Sequence, residues 1–278
     1  MTVSTEIKRG FADVSYGQIH YRAQGSGDPM LLLHSSPGSS KQQVGLISDL
    51  GDEMRIFSPD TPGNGDSTAL PLESPTIVDL ATGVLAFLDT MGLDRVDVYG
   101  SHTGSAIASE LAIMAPDRVK RIVLDGVQLL TDEERSEVLA RYAFPFTPDL
   151  EGGYLMRAFQ FCRDQYLFYP WYNRTREGQR IGSLPAAGDL HNWVVEVLKS
   201  AETYHLNYRA AFQWSALDRL PLVRCPTLVI AGANDPLFVD TETVAPMLLD
   251  SHFLALPRFD APDYRSKRKA AIIQFFRS

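Results

Sequence analysis

The chain has 278 residues, of which 45% are hydrophobic and 22% are charged, and its formal net charge is −8. This length and composition are typical of one large globular α/β domain with an insertion. The acidic balance argues against a nucleic-acid or anionic-membrane partner.

The two cysteines, Cys162 and Cys225, form neither a CxxC pair nor a disulfide framework. We therefore expect reduced thiols in a cytoplasmic protein. Residues 1–10 contain no apolar run that would indicate a secretory signal, and no segment has the length of a membrane span. The sequence predicts a protein that acts away from membranes, as a monomer or a homodimer.

The predicted elements begin with a hairpin over residues 11–25, where the sequence alternates around a Tyr16-Gly17 turn. Continuous apolar runs, typical of buried parallel strands, start at Met30, Met54, Val96, Val119, Pro226 and His252. Helical segments lie between most of these strands, over residues 76–91, 102–114 and 262–276. This alternation predicts an α/β fold with a mostly parallel eight-stranded sheet and helices on both faces.

The alternation stops between about residues 129 and 220, where helices follow one another. Four are predicted, over residues 131–143, 153–166, 189–201 and 203–215. We therefore predict a core domain of residues 1–128 and 217–278 with a helical cap of residues 129–216. A cap over a cleft must line it with side chains, so Trp171 and Tyr172 in the cap and Phe238 after the seventh strand are candidate pocket residues.

A glycine-framed turn follows the strand at Val96, in the stretch Gly100-Ser101-His102-Thr103-Gly104. A strand that turns sharply into a helix needs small residues two before and two after the central residue. A frame centred on His102 has glycine at both positions, whereas a frame centred on Ser101 has a tyrosine and a threonine. The spacing therefore predicts that His102 is the central residue and that Ser101 points aside.

Four motifs in this order resemble the α/β-hydrolase superfamily, specifically its cap-bearing enzymes of small molecules. They are LLLHSSPGSS, FSPDTPGNGDS, YGSHTGSAIASELAIMAPDRVKRIVLDG and LVIAGANDPL. The resemblance implies a serine nucleophile at the turn, an acid after the seventh strand and a histidine after the eighth. Asp235 matches the acid, but His102 holds the serine's position and no histidine follows His252.

The resemblance also implies an oxyanion pocket. The backbone N–H groups of Ser36 and Thr103 match the family's two donors, and Ser35 replaces the usual glycine of the loop after the third strand. His34 matches a structural histidine of that loop, so we assign it no chemistry.

These residues suggest a His102–Asp235 dyad in which the carboxylate orients one ring nitrogen and leaves the other for substrate. The helix N-terminus beside His102 would disfavour the imidazolium and favour a neutral base. The alternative is that His102 fills an inactive turn. Asp125 at the end of the sixth strand and His205 on a cap helix are further candidates, although a turn carboxylate and a packed histidine are the more ordinary interpretations.

The principal hypothesis is a cofactor-independent enzyme acting on a small apolar carbonyl compound such as an ester or a lactone. His102 would serve as general base or acid, or as a nucleophile that forms an acyl-imidazole. The same site could support lyase, decarboxylase or isomerase chemistry. Two other hypotheses stay open: a catalytically inactive ligand-binding protein, and a serine hydrolase that uses Ser101. No cofactor or metal is expected, and a small molecule is the expected partner.

Overall fold

The computed structural model describes residues 6–277. The first half of the stretch in which we expected no secretory signal, residues 1–5, thus lies outside the described residues. Eight strands form one sheet in the order β1-β2-β4-β3-β5-β6-β7-β8. Their bounds are Lys8–Val14 (β1), Gly17–Gln24 (β2), Pro29–Leu33 (β3), Arg55–Pro59 (β4), Val96–Ser101 (β5), Val119–Asp125 (β6), Thr227–Gly232 (β7) and Ser251–Leu256 (β8).

The predicted sheet is confirmed. Strand β2 pairs antiparallel with β1 and β4, and the other pairs are parallel. The helices are Val44–Leu50 (α1), Ile77–Thr90 (α2), Thr103–Met114 (α3), Asp132–Arg141 (α4), Gly153–Leu167 (α5), Ala187–Lys199 (α6), Tyr204–Gln213 (α7), Ala216–Arg219 (α8), Phe238–Val244 (α9) and Tyr264–Arg277 (α10).

The apolar strands are buried on both faces of the sheet, which explains their continuous hydrophobic sequence. Because successive side chains point to opposite faces, Leu31 and Leu33 of β3 pack into the cluster that includes α2 and α3. Met30 and Leu32 pack into a second cluster on the other face, with residues of α1 and α10. Strands β5, β6 and β7 are parallel neighbours, so their carboxyl ends lie at the same edge of the sheet.

The segment between β6 and β7 forms an apolar cluster of its own, centred on aromatic side chains of α5 and α7. Phe161 lies within 5.5 Å, centroid to centroid, of both Phe146 and Tyr204. The predicted boundary at residue 216 falls on the first residue of α8. Among the described helices, none is long and apolar enough to cross a membrane.

Candidate active site

The turn between β5 and α3 is centred on His102, whose backbone has φ 49° and ψ −110°. Among residues 6–277 it is the one residue other than glycine with a positive φ. A Cβ atom on Gly100 would lie 2.2 Å from the carbonyl oxygen of Gly104. A Cβ on Gly104 would lie 2.3 Å from the carbonyl oxygen of Leu33. These close approaches are the steric reason for both glycines and keep His102 at the apex of a strained turn.

The imidazole of His102 contacts Asp235, which follows β7. The distance from His102 Nε2 to Asp235 Oδ2 is 2.8 Å. The other carboxylate oxygen accepts the backbone N–H of Leu237 at 2.8 Å, which orients the acid. The His102 side chain is 35% exposed and that of Asp235 is 1% exposed. The carboxylate is therefore buried behind a ring that reaches the surface of the site.

A glycine after β6 makes room for the same ring. Gly126 has φ +82°, and a Cβ there would lie 2.4 Å from His102 Cδ2. The backbone of the β5–α3 turn is also tied to β6, because the N–H of His102 donates to the carbonyl of Asp125 at 2.9 Å. Strand pairing and this glycine together set the position of the imidazole.

The charge of the site corrects one expectation. Burial disfavours the imidazolium, but the carboxylates of Asp235 and Asp125 outweigh burial and raise the pKa of His102 above its usual 6.5. The direction of this shift is opposite to the bias toward a neutral ring that we expected from the helix N-terminus. Burial would likewise raise the pKa of Asp235, but the neighbouring His102 and the Leu237 N–H hold it below 3.8.

Thr103 and Ser36, whose backbone amides are the expected oxyanion donors, line the same cavity as His102. Thr103 is the first residue of α3, and the first N–H of a helix has no partner within the helix. Ser36 is buried in the loop after β3, and its hydroxyl has no hydrogen-bond partner among the described residues. The hydroxyl of Ser35 donates to Gln42 at 3.0 Å. In this loop the Ser36 hydroxyl is thus without a partner within residues 6–277, whereas the Ser35 hydroxyl is bound to Gln42.

The histidine of this loop is structural. The N–H of Thr61 donates to His34 Nε2 at 2.9 Å, and His34 Nδ1 lies 2.8 Å from the carbonyl oxygen of Ser35. Both ring nitrogens are used, which requires the neutral tautomer with the proton on Nδ1. Burial lowers the pKa of His34, in agreement with that tautomer. His34 therefore links two loops beneath the cavity.

A cavity of about 930 Å³ lies between the carboxyl edge of the sheet and the helices that follow β6. It is lined by five of the predicted site residues, namely Ser35, Ser36, His102, Thr103 and Asp235. Its aromatic walls are formed by Tyr142, Tyr166, Tyr169, Trp193, Tyr208, Phe212, Trp214 and Phe259. The site can therefore hold an apolar organic molecule against the imidazole.

Two other predicted catalytic candidates do not line this cavity. Ser101 ends β5 and pairs in register with Asp125 of β6. The Asp125 carboxylate is buried and accepts the hydroxyl of Tyr99 beneath the turn. Burial raises the pKa of Asp125. Asp125 is therefore held beneath the turn by Tyr99, and Ser101 is absent from the cavity lining, in agreement with a glycine frame centred one residue later.

The three predicted pocket residues and the further candidate His205 are also absent from the lining of this cavity. His205 of α7 faces a separate cavity of about 290 Å³. Trp171 donates its indole N–H to the carbonyl of Tyr142 at 2.9 Å, and Tyr172 packs edge-on against that same residue. Phe238 packs against Phe253, with ring centroids 5.7 Å apart. These side chains serve local packing, so the expectation that they line the main cavity is wrong.

Sequence reasoning did not identify Phe259 and Arg180 as lining residues. Phe259 lies in the loop after β8, where the family resemblance would put a histidine, and its N–H donates to Asn234 Oδ1 at 2.8 Å. Its ring lies over Gly232, where a Cβ would be 2.6 Å from Phe259 Cε1. Arg180 lies between α5 and α6 in a stretch with no motif, so no sequence signal marked it.

One cluster of metal-ligating types is present in the described part of the chain, formed by His20, Asp60 and Asp66 within 4.8 Å. His20 Nδ1 already contacts Asp60 Oδ2 at 2.9 Å, and Asp66 pairs with Lys199 at 2.8 Å. Each of the three side chains thus has a partner already, and none of them lines the main cavity. They therefore give no reason to place a metal ion in the candidate active site.

Comparison with known proteins identifies the family. The model of the α/β-hydrolase fold family matches residues 28–247, so the chain belongs to that family. A relative from Acinetobacter baylyi, (E)-2-((N-methylformamido)methylene)succinate hydrolase, is 29% identical over 78% of this chain and 76% of its own. Haloalkane dehalogenase 2 of Mycobacterium bovis is 36% identical over 40% of this chain and 39% of its own.

Solved structures agree on the fold. The enol-lactonase from Burkholderia xenovorans superposes with a TM-score of 0.75 at 20% identity, over 97% of this chain and 100% of that one. At this identity the likeness establishes the architecture alone. The site must therefore be interpreted from its own residues.

Proposed function

We propose that this protein hydrolyses a small carbonyl compound, an ester or a lactone, with His102 as general base, Asp235 as its orienting acid and Thr103 and Ser36 as oxyanion donors. The observation that carries the proposal is the 2.8 Å contact between His102 and Asp235 at the wall of the cavity. The turn holds His102 where a nucleophile elbow presents its reactive residue. The relative from Acinetobacter baylyi, itself named a hydrolase, supports the reaction class.

The contact with Asp235 selects one tautomer of His102. An ionised carboxylate can only accept a hydrogen bond, so Nε2 carries the proton and donates it to Asp235, and the neutral ring has its lone pair on Nδ1. No hydrogen bond within residues 6–277 occupies Nδ1. This nitrogen is therefore available to accept a proton from a water molecule in the cavity.

The chemistry follows from this arrangement. Nδ1 removes a proton from water, and the hydroxide oxygen forms a bond to the carbonyl carbon while the carbonyl π electrons move to oxygen. The amide N–H groups of Thr103 and Ser36 would stabilise that oxyanion. Collapse of the tetrahedral intermediate breaks the bond to the leaving oxygen, which takes the proton from the imidazolium. The products are a carboxylic acid and an alcohol, and His102 is again neutral.

Asp235 would stabilise the imidazolium that forms in the first step. Its carboxylate is 1% exposed, so its interaction with the ring is little screened by water. Attack by Nδ1 itself, forming an acyl-imidazole that water then cleaves, uses the same residues. We further propose a cytoplasmic location, which the two free thiols of Cys162 and Cys225 support.

The proposal is tested with a panel of 4-nitrophenyl esters, γ- and δ-lactones and β-keto acids. The wild type should turn over at least one ester or lactone, and His102→Ala should lower its kcat/KM by about 10³-fold. Turnover of the β-keto acids alone would instead show a decarboxylase. Binding without turnover of any compound would show a ligand-binding protein.

A fluorophosphonate probe tests the serine alternative. We expect no stoichiometric labelling of the wild type, because Ser101 lies outside the cavity. Labelling that disappears in Ser101→Ala, or full activity of His102→Ala, would contradict the proposal.

A further inference from the structure

A cationic side chain without an acidic partner forms part of the cavity wall. Arg180 follows α5 and lines the same cavity as His102. Its Nη1 donates to the carbonyl of Gln165 at 2.6 Å, and its backbone N–H donates to Leu167 at 2.8 Å. The side chain is half-buried, and among the described residues it has no salt-bridge partner. The backbone and one terminal nitrogen of Arg180 are thus held by hydrogen bonds, while no carboxylate among the described residues lies within salt-bridge distance of its guanidinium.

None of the other charged groups that line the cavity forms an ion pair with Arg180. Three of the four lining carboxylates each have their own basic partner, in the pairs Asp235–His102, Glu196–Lys199 and Asp260–Arg258. The fourth, Asp189, is exposed and forms no salt bridge within the described residues. Lys41 also lines the cavity, but it is exposed, so water screens its charge.

Some N–H donors of the Arg180 guanidinium have no hydrogen-bond acceptor in the described part of the chain. One of its two terminal nitrogens is used by Gln165, and the edge formed by Nε and Nη2 has no acceptor in the described part of the chain. That edge presents two parallel N–H groups, which match the two oxygens of a carboxylate.

The charge of Arg180 also reaches the reaction centre. Burial has the largest influence on His102 and on Asp235, but the positive charge of Arg180 contributes at both, where it acts to lower each pKa. Arg180, the His102–Asp235 dyad and Thr103 all line one cavity. A substrate whose carbonyl lies at Thr103 would therefore share that cavity with Arg180.

We propose that Arg180 binds a carboxylate of the substrate, so that the substrate is an ester or lactone with an anionic group at one end and an apolar body. The aromatic wall formed by Tyr142, Tyr208 and Phe212 would take the apolar body. This inference rests on the proposed function, because it names the class of substrate for the same site. Arg180 is already half-buried, so part of the cost of removing its charge from water is met in the folded protein, and an anionic ligand gains two charge-assisted hydrogen bonds to it.

The test compares two esters of matched shape, 4-nitrophenyl (4-carboxyphenyl)acetate and 4-nitrophenyl (4-methylphenyl)acetate. We measure the ratio of kcat/KM for the anionic ester to that for the neutral ester. Arg180→Gln should lower this ratio by about 10- to 100-fold, because it removes a charge-assisted hydrogen-bonded pair. Arg180→Lys should give a ratio between those of the wild type and Arg180→Gln, since lysine keeps the positive charge but lacks the two parallel N–H groups.

The matched control is Arg176→Gln, which removes an exposed arginine of the same segment that does not line the cavity. Its ratio should equal that of the wild type. If Arg180→Gln lowers kcat/KM for both esters equally, Arg180 acts on the His102–Asp235 dyad and the inference is wrong. An unchanged ratio would also overturn it.

A binding measurement separates this inference from the proposed function. Calorimetry with 4-phenylbutanoate and with 4-phenylbutan-1-ol requires no turnover. The wild type should bind the carboxylate more tightly than the alcohol, and Arg180→Gln should remove most of that difference. If no ester is hydrolysed but this preference is observed, the proposed function fails and the anion site stands. If wild type and variant bind the carboxylate equally, or neither binds it, the inference is overturned.

Discussion

The molecule contains two histidine–carboxylate pairs with nearly the same contact distance and opposite surroundings. His20 Nδ1 lies 2.9 Å from Asp60, and His102 Nε2 lies 2.8 Å from Asp235. The His20 side chain is 4% exposed, whereas that of His102 is 35% exposed. Both carboxylates are 1% exposed. A short contact therefore does not define a reactive pair; access to the second ring nitrogen does.

The other contacts of the two carboxylates, Asp60 and Asp235, also differ between the buried pair and the accessible pair. Asp60 also accepts the backbone N–H groups of Ser40 at 2.7 Å and Asp66 at 3.0 Å, and so joins three chain segments. Burial opposes its ionisation, but His20 and these donors bring the pKa of Asp60 down to about 2. Asp235, in contrast, accepts one local N–H and otherwise serves the imidazole of His102. Under the proposed function, the first pair serves stability and the second serves chemistry.

Of the substitutions in the two histidine–carboxylate pairs, His102→Ala is expected to have the largest effect on activity. Loss of the general base should lower kcat/KM by about 10³-fold, equivalent to about 4 kcal/mol of transition-state stabilisation. The melting temperature should fall less than in His20→Ala, because the His102 side chain is 35% exposed and water entering from the cavity can solvate the Asp235 carboxylate once the ring is gone. Thermal melts and steady-state kinetics check this together. His252→Ala is the control, since His252 is exposed at the far end of β8. A large loss of stability in His102→Ala would remove the distinction between the pairs.

His20→Ala should have the opposite effect. It leaves the carboxylate of Asp60 buried without its imidazole, which should lower the free energy of unfolding by about 3 kcal/mol. Urea denaturation at pH 7 measures this, and kcat/KM per folded molecule should stay within about threefold of the wild type.

The pH dependence of stability gives the sign of the Asp60 contribution. Because its folded pKa is about 2 and its ordinary value is 3.8, the stabilisation is present above pH 3.8 and is lost as pH falls through 2. His20→Ala should reduce this acid sensitivity. An equal loss of stability at all pH values would indicate that His20 contributes packing alone.

Asp235→Asn sharpens the assignment of the reactive pair. We expect kcat/KM to fall by about 10²-fold, because the amide neither stabilises the imidazolium nor enforces one tautomer. In the wild type, activity should rise with pH through a pKa above 6.5, since the base form is required. In Asp235→Asn, the rise of activity with pH should occur at lower pH, because the carboxylate no longer stabilises the imidazolium. If this rise occurs at the same pH as in the wild type, a group other than His102 is titrating.

Gly126→Ala should give the smallest of these effects. The new Cβ would meet the ring of His102 and displace it, which should lower kcat by about tenfold. Gly92→Ala is the matched control, because Gly92 also has a positive φ of 62° but nothing lies within 4 Å of its Cβ position. Both variants should lose about 1 kcal/mol of stability. Equal kinetics in the two variants would show that contact with the ring is unimportant.

The core elements were predictable because their physical causes are local. The helix predicted over residues 76–91 is observed as Ile77–Thr90, with Thr76 and Asp79 forming a capping box. The glycine spacing around His102 encodes a close backbone crossing, and a close crossing excludes side chains whatever the rest of the fold does. Asp235 was accessible from sequence since the family motif places it directly after a buried strand.

The pocket predictions failed where side-chain direction depends on packing between helices. Trp171 and Tyr172 lie in the segment between α5 and α6, and their aromatic character alone does not say whether they face the cavity or the cluster around Tyr142. Phe259 and Arg180 line the cavity from loops whose local sequence has no periodicity. In such segments, contacts distant along the chain decide which side chain faces inward.

The sequence by itself determined the sheet, its helices and the position of an imidazole at the apex of the β5–α3 turn. Hydrophobic periodicity and the volume of a Cβ atom act over a few residues, so they can be inferred without coordinates. Only the tertiary structure decided which groups surround that imidazole. His102 and Asp235 are 133 residues apart in the chain, and the carboxylates of Asp235 and Asp125 outweigh burial and raise the pKa of the ring.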